Sequence, residues 1–287
     1  WKNKEISKEN NMKVLITGAN GYQGRHVVEA VLAKGHEVLA SDFNFDNLPE
    51  TVIKVTTPIF SETDQLFEAL GSPDAIIHLA WRNGFVHNAD THIEDLPAHY
   101  DFLKKMIDAG VGQLAIMGSM HEVGYHEGAV VAETPTNPTS LYGIAKNALR
   151  QAVDVLAKDA TTTLQWMRAY YIMGDDEKSN SIFAKIVKAE KEGQAEFPFT
   201  TGKNKYDFID IDELAAQIAA VISQKEVAGI INVSSGEPIS LADKVESFIK
   251  DNNFDIKLKY GVFPDRPYDS PAIWGDNQKI TEILENQ

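Results

Sequence analysis

Not one cysteine occurs in the 287 residues, which removes disulfides, thiolate nucleophiles and cysteine-held zinc from consideration. Basic side chains are also in short supply: 27 Lys and Arg stand against 42 Asp and Glu, a formal net charge of -15. That field repels polyanions, so DNA, RNA and acidic membrane surfaces are poor partners. An anionic small molecule is not excluded, because a local Arg, Lys or helix N-terminus outweighs a distant field. No apolar run approaches the ~20 residues of a membrane-spanning helix. Repeats, heptads and low-complexity tracts are missing as well. The polar opening Trp1 to Asn11 precedes Met12 and reads as a disordered leader or cloning remnant outside the fold. The expected setting is the cytoplasm, and no metal site is expected.

What is present is an alternation of short apolar runs with helical patterns. Hydrophobic residues make up 43% of the chain, enough for one large core or two unequal lobes around a cleft. Lys13 to Thr17, Glu37 to Ser41, Ala75 to Leu79, Gln113 to Met117 and Thr163 to Met167 read as buried strands. Helical patterns separate them, around Glu62 to Leu70, Pro97 to Ala109 and Leu141 to Lys158. That order predicts an α/β fold with a parallel sheet. From about Met173 the rhythm changes, with helices over Asn180 to Glu192, Ile211 to Ser223 and Leu241 to Asn252 and a strand over Gly229 to Val233. The reading is a first domain over 12–172 and a smaller lobe over 173–287, with segments crossing between them.

The first strand runs into Gly18-Ala19-Asn20-Gly21-Tyr22-Gln23-Gly24. Glycines at the first, fourth and seventh positions suit a tight turn, a close backbone approach to a pyrophosphate and close helix-on-strand packing. The helix starting near Gly21 would aim free N–H groups at the phosphates. Asp42 ends the second strand, at the distance in sequence where a carboxylate meets the adenosine ribose hydroxyls. It would repel a 2′-phosphate, and no Arg or Lys follows closely to neutralise one. NAD(H) is therefore favoured over NADP(H).

Tyr142 and Lys146 stand four residues apart, on one face of a helix opened by Thr139 and Ser140. A free phenol, with a pKa near ~10, is a poor base at neutral pH. A neighbouring cation, from Lys146 and an oxidised nicotinamide, would lower that value. Tyr142 would then exchange a proton with a sugar hydroxyl or carbonyl while hydride moves at the cofactor.

These motifs resemble the extended short-chain dehydrogenase/reductases, the NAD-dependent epimerase/dehydratase family. The likeness runs from Met12 to about Ile280 and includes Asp74-Ala75-Ile76-Ile77-His78-Leu79-Ala80, Lys205 to Leu214 and Asn232 to Ser240. It implies a doubly wound Rossmann sheet, a smaller C-terminal α/β substrate lobe and a nucleotide-diphosphate sugar as substrate. It extends the cofactor set to Phe43, Leu79, Ala80, Trp81, Tyr142, Lys146 and Tyr171. It also implies a catalytic hydroxyl before the tyrosine, for which Ser119 stands closest, with His121 and Glu122 beside it as substrate-side groups. Arg266 corresponds to the family's late arginine, whose guanidinium fork suits a diphosphate.

Departures from the pattern bear on substrate. Tyr171 stands where asparagine is usual, Tyr206 where arginine is usual, and Trp81 where a small residue is usual, which narrows the cleft. The resemblance favours a 4-keto-sugar reductase with Tyr142 as proton donor, a nucleotide-sugar 4-epimerase being the alternative. A 4,6-dehydratase is disfavoured, because its Thr-Asp-Glu run is here Met120-His121-Glu122. A regulator sensing NAD(H) without turnover remains the non-enzymatic reading. A homodimer is expected, through helix faces bearing Phe102, Leu103, Met106 and Ile107, and Ala145, Leu149, Ala152, Val153 and Leu156; core packing would explain the same faces.

Overall fold

The apolar runs of the first half become parallel strands covered on both faces. The computed structural model describes residues 11–174, 181–264 and 269–287, so most of the polar leader lies outside the described residues. In chain order, β1 (Lys13–Thr17) leads through α1 (Tyr22–Ala33) to β2 (Glu37–Ser41) and β3 (Ile53–Val55). Then come α2 (Leu66–Ala69), β4 (Ala75–His78), α3 (Thr91–Glu94), α4 (Leu96–Asp108) and β5 (Gln113–Ser119). A single 3₁₀ turn, Met120–Glu122, precedes β6 (Gly128–Val130), α5 (Leu141–Ala157), β7 (Thr163–Ala169) and β8 (Tyr171–Met173). The rest comprises α6 (Ile182–Lys191), β9 (Glu196–Pro198), β10 (Lys205–Asp210), α7 (Ile211–Ile222) and β11 (Gly229–Val233). It closes with β12 (Pro238–Ser240), α8 (Leu241–Asp251), β13 (Lys257–Lys259), β14 (Ala272–Gly275) and α9 (Gln278–Glu285).

Among the described residues the large sheet has the order β11-β7-β5-β4-β1-β2-β3, every pair parallel. Strand alternation divides β1 between two cores: Val14 and Ile16 join α1, α7 and α9 on one face, while Leu15 joins α2, α4 and α5 on the other. Each such buried side chain contributes roughly 1.5–3 kcal/mol. β1 pairs with β2 on one side and β4 on the other, so successive connections leave it in opposite directions. A crevice opens at that switch point, over the carboxyl ends of the strands.

The smaller lobe holds the sheet β12-β10-β14-β6, with β8 joined to β10, and the ribbon β13-β9. Its core gathers Tyr170, Phe183, Phe199, Tyr206, Phe208, Val245 and Ile273. The division at residue 172 is not a clean cut. β6 lies in the small sheet, whereas β11 pairs with β7, and residues of α7 and α9 pack in the first-face core of the large sheet. Buried polar groups tie the lobes: Asn232 donates to the carbonyls of Val130 (2.7 Å) and Asp276 (3.0 Å) and accepts from the Tyr170 hydroxyl at 3.2 Å.

Of the two readings of the apolar helix faces, core packing describes most of their residues, Ala152 and Leu156 being half-buried. Phe102, Leu103, Met106, Ile107, Leu149 and Val153 are buried in this chain's own second core, under α4 and α5, and Ala145 is wholly covered too. Helical periodicity marks a covered face without saying what covers it. No helix among the described residues is long and apolar enough to cross a membrane.

Candidate active site

The glycine loop follows β1 directly. Gly18 adopts φ +68°, and a Cβ there would stand 2.9 Å from the Ala80 nitrogen, so only glycine permits both the turn and the close approach of β4's end. A Cβ on Gly24 would collide with the carbonyl oxygens of Gly18 and Ala19, which lets α1 pack against the loop. Gly21 caps α1, and no side chain caps its first turn, where Tyr22 and Gln23 lie. The positive end of the helix is thus left for a ligand.

Asp42 is pinned at the end of β2 by backbone donors: Oδ2 accepts from the Asn20 N–H at 2.8 Å and Oδ1 from the Phe43 N–H at 2.7 Å. Each carboxylate oxygen retains acceptor capacity for a hydroxyl. The Phe43 ring stands fully exposed beside it. Leu79, Ala80 and Trp81 continue from β4, with the Ala80 N–H donating to the Thr17 hydroxyl at 3.2 Å. A cradle that a Cβ would fill, an uncapped helix end and a fixed carboxylate together fit a dinucleotide. The Tyr171 ring packs on Tyr206 (4.5 Å between centroids) and Phe208 (5.6 Å) in the smaller lobe.

β5 runs two residues beyond the expected strand because its register with β7 continues through Gly118↔Arg168 and Ser119↔Ala169. Ser119 therefore ends the strand. Its hydroxyl accepts from the His121 N–H at 3.3 Å, and its own N–H donates to Glu122 Oε1 at 2.7 Å. Across the cleft, Ser140 caps α5 by accepting from the Gly143 N–H at 3.1 Å. A Cβ on Gly143 would strike the His121 carbonyl, so the helix start lies against the 3₁₀ turn. That contact brings Tyr142 to Ser119, whose side chain acts on the phenol against the rise that burial causes. The Tyr142 N–H also donates to the His87 carbonyl at 2.9 Å.

Lys146 lies one turn on from Tyr142, almost fully buried. Its Nζ donates to the Met117 carbonyl at 2.8 Å and stands 3.8 Å from the centre of the Trp81 ring. Burial pulls this ammonium down to about 7, against the opposing Glu122 carboxylate. Burial pushes the Tyr142 phenol up to about 12; the Ser119 hydrogen bond works against that rise and Glu122 adds to it. In the protein alone the Lys146 ammonium is held by a carbonyl and an indole face.

Sequence reasoning missed a histidine cluster around these groups. His78 Nδ1 bonds the Thr17 hydroxyl (2.8 Å) and its Nε2 bonds His99 Nδ1 (2.9 Å). His99 stacks on Trp81, 4.5 Å between centroids. The Trp81 indole N–H donates to His92 Nδ1 at 3.0 Å, so His92 carries its proton on Nε2 and donates to the Val86 carbonyl at 2.9 Å. Burial holds His78 well below its ordinary value and His99 down to about 3. His87 and His121 complete the cluster, their ring centres 4.2 Å apart. The five come from β4, α3, α4, one loop and the 3₁₀ turn, and no local spacing signals their meeting.

Glu122 is corrected from a substrate-side group to an internal one. It is wholly buried, accepting from Trp166 Nε1 at 2.9 Å and from Arg168 Nη2 at 3.2 Å as well as from Ser119. Arg168 is equally buried, and its Nη1 has no hydrogen-bond partner among the described residues. Arg266 lies outside the described residues. Among the described residues no three His, Asp or Glu side chains form a metal-ligand group.

A glycine cradle at the switch point of a parallel sheet, with a serine and a tyrosine meeting beside it, defines the dinucleotide-dependent oxidoreductases built on this fold. The chain belongs to the NAD dependent epimerase/dehydratase family, whose profile matches residues 14–234. It is similar to dTDP-6-deoxy-L-talose 4-dehydrogenase (NAD(+)) of Aggregatibacter actinomycetemcomitans: 44% identical over 270 residues, 92% of this chain and 99% of that one. Its fold matches UDP-N-acetylglucosamine 4-epimerase from Methanobrevibacter ruminantium in complex with UDP-N-acetylmuramic acid at a TM-score of 0.82, with 19% identity over 96% of this chain and 92% of that one. UDP-glucose 4-epimerase of Thermus thermophilus in complex with NAD matches at 0.76, with 19% identity over 94% and 92%. The family, the fold and the NAD-dependent enzyme expected from the motifs are the ones found.

Proposed function

We propose that this chain is an NAD(H)-dependent 4-dehydrogenase, equally a 4-keto reductase, acting on a nucleotide-linked 6-deoxyhexose. The observation that carries the reading is the meeting of Ser119 and Tyr142 beside the glycine cradle. The 44% identity to an enzyme named for dTDP-6-deoxy-L-talose supports the substrate class. Gly18, Gly21, Gly24 and Asp42 would hold the dinucleotide, which when bound takes or supplies the hydride at the sugar's C4. In reduction, Tyr142 donates its hydroxyl proton to the forming alkoxide, and Ser119 orients the oxygen that receives it. Trp81 and the imidazoles around Tyr142 wall the cleft against bulk water, and Lys146 braces Met117 and Trp81 behind them.

The assay mixes the protein with NADH and a dTDP-linked 4-keto-6-deoxyhexose and follows nicotinamide absorbance and sugar together. One NADH lost per 4-hydroxyl formed is expected. Interconversion of UDP-hexoses without net NADH change would replace this reading by epimerisation, and inertness on every nucleotide sugar would overturn it. A homodimer and a cytoplasmic setting belong to the same proposal. Ile144 and Val155 on the outer side of α5 are its exposed apolar side chains, and a monomeric mass by light scattering would remove the dimer.

A further inference from the structure

The register of β5 with β4 stops at Ile116, while its register with β7 runs on to Ser119. The end of β5 therefore projects past its inner neighbour, and it carries a mount. Gly118 stands opposite Arg168, and a Cβ there would lie 2.1 Å from Trp166 Nε1 and 2.6 Å from Glu122 Oε1. The glycine clears a space beside the strand, and the Glu122 carboxylate fills it. Trp166 and Arg168 are two apart on β7, so both donors reach the same face. Oε1 accepts from the Ser119 N–H at 2.7 Å and from the Trp166 indole at 2.9 Å, and Oε2 accepts from Arg168 Nη2 at 3.2 Å. Arg150, on the helix that carries Tyr142, brings its Nε to 4.0 Å. Ser119 and Glu122 close a reciprocal capping box, each side chain accepting from the other's backbone.

Such a box fixes a hydroxyl as a donor. A serine hydroxyl has one proton to give and two lone pairs. Backbone N–H groups of the turn, that of His121 at 3.3 Å among them, take up the oxygen and leave the O–H free to donate. We propose that Glu122, clamped by Trp166 and Arg168, is a positioning residue that holds Ser119 at Tyr142 for the transfer at the sugar's C4. This role rests on the dehydrogenase reading above. Glu122 is wholly enclosed and touches neither sugar nor dinucleotide, so it acts through Ser119. The mount needs an acceptor at both ends: Ser119 and the indole present N–H groups to one oxygen, and Arg168 to the other. Glutamine has the same shape but carries an NH2 in place of one oxygen. Its oxygen goes to the guanidinium, and the NH2 then faces the Ser119 N–H and pushes the serine off its seat.

The experiment is a substitution cycle on kcat, using NADH and the dTDP-linked 4-keto-6-deoxyhexose well below each variant's melting temperature. Glu122→Gln is expected to lower kcat roughly tenfold to a hundredfold, the cost of displacing a reacting group by about 1 Å. KM for the sugar and Kd for NAD should stay unchanged. Trp166→Phe keeps a ring and removes one donor, and should lower kcat in the same sense by a smaller factor. Ser119→Ala should lose at least as much as Glu122→Gln, and the double variant no more than Ser119→Ala, within about twofold. The double variant's melting temperature should still fall by the full increment of Glu122→Gln. Losses that multiply across the two positions would overturn the proposal, since damage to the fold, or to the charge around the phenol, persists without the serine. Near-parental kcat in Glu122→Gln would overturn it too, as would a raised KM at full kcat. If the parent protein turns over no nucleotide sugar, the dehydrogenase reading fails by itself. The crystal structure of Glu122→Gln then decides the mount: the Ser119 hydroxyl should have left the His121 N–H, and an unmoved serine sinks the assignment.

Discussion

Replacing Glu122 by alanine should cost the fold about as much as any single side chain in it. The carboxylate is fully buried and receives the Ser119 N–H at 2.7 Å, the Trp166 indole at 2.9 Å and the Arg168 guanidinium at 3.2 Å. Its removal leaves Arg168 charged, wholly buried and without its counter-ion. Breaking one side of such a pair costs about 3–5 kcal/mol. For a chain of this size ~1 kcal/mol moves the melting temperature by roughly 2–4 °C, so a fall of roughly 6–20 °C is expected. Thermal melts followed by circular dichroism at pH 7.5, comparing parent, Glu122→Ala and Glu122→Gln, make the measurement. The glutamine keeps the shape and one acceptor, and should fall about half as far. Replacing Glu122 and Arg168 together by methionine should recover much of the loss, because no charge is then left alone. An alanine variant melting within about 2 °C of the parent would refute the reasoning, since ~3 kcal/mol cannot hide in so small a shift. A raised KM for the sugar at unchanged stability would return Glu122 to the substrate.

Tyr142→Phe should leave folding intact and reduce kcat by about 10²–10⁴-fold, and near-parental turnover would remove the tyrosine from the chemistry. Gly24→Ala drives a methyl group into the Gly18 carbonyl; dinucleotide affinity by titration calorimetry should fall at least about tenfold, ~1.4 kcal/mol, and an unchanged Kd would show that the loop yields freely. His99 binds a proton near 6.5 when unfolded but only near 3 when folded, so stability is lost as pH falls through that window. At pH 5 its share is about 2 kcal/mol. His99→Asn should therefore shrink the drop in melting temperature between pH 7.5 and pH 5, and an equal drop in parent and variant would assign the acid lability elsewhere.

Legibility in the sequence followed how locally each feature is encoded. Val14 to Ile16 is apolar at consecutive positions because β1 is covered on both faces, and such a run survives any reading frame of periodicity. The glycine loop declares itself through residues that no other conformation requires. β6, β12 and β14 carry three or four residues each and take their conformation from neighbours far along the chain, so no period marks them. Glu122 reads as a cleft carboxylate until Trp166 and Arg168 are brought over it by the β5–β7 register. Leu149 and Val153 show an apolar stripe whose meaning, own core or partner, lies in the packing alone. The histidine cluster is the extreme case, with members drawn from residues 78 to 121 and joined only by tertiary contact.

The placing of β11 beside β7 has a consequence for the chain while it is being made. β7 ends at residue 169 and its outer neighbour begins at residue 229, so the strand holding Trp166 and Met167 waits unsealed through the synthesis of everything between. An open edge of that kind recruits strands from other nascent chains. Truncation within 170–228 therefore leaves β7 without its outer neighbour, whereas loss of α9 alone leaves β7 paired.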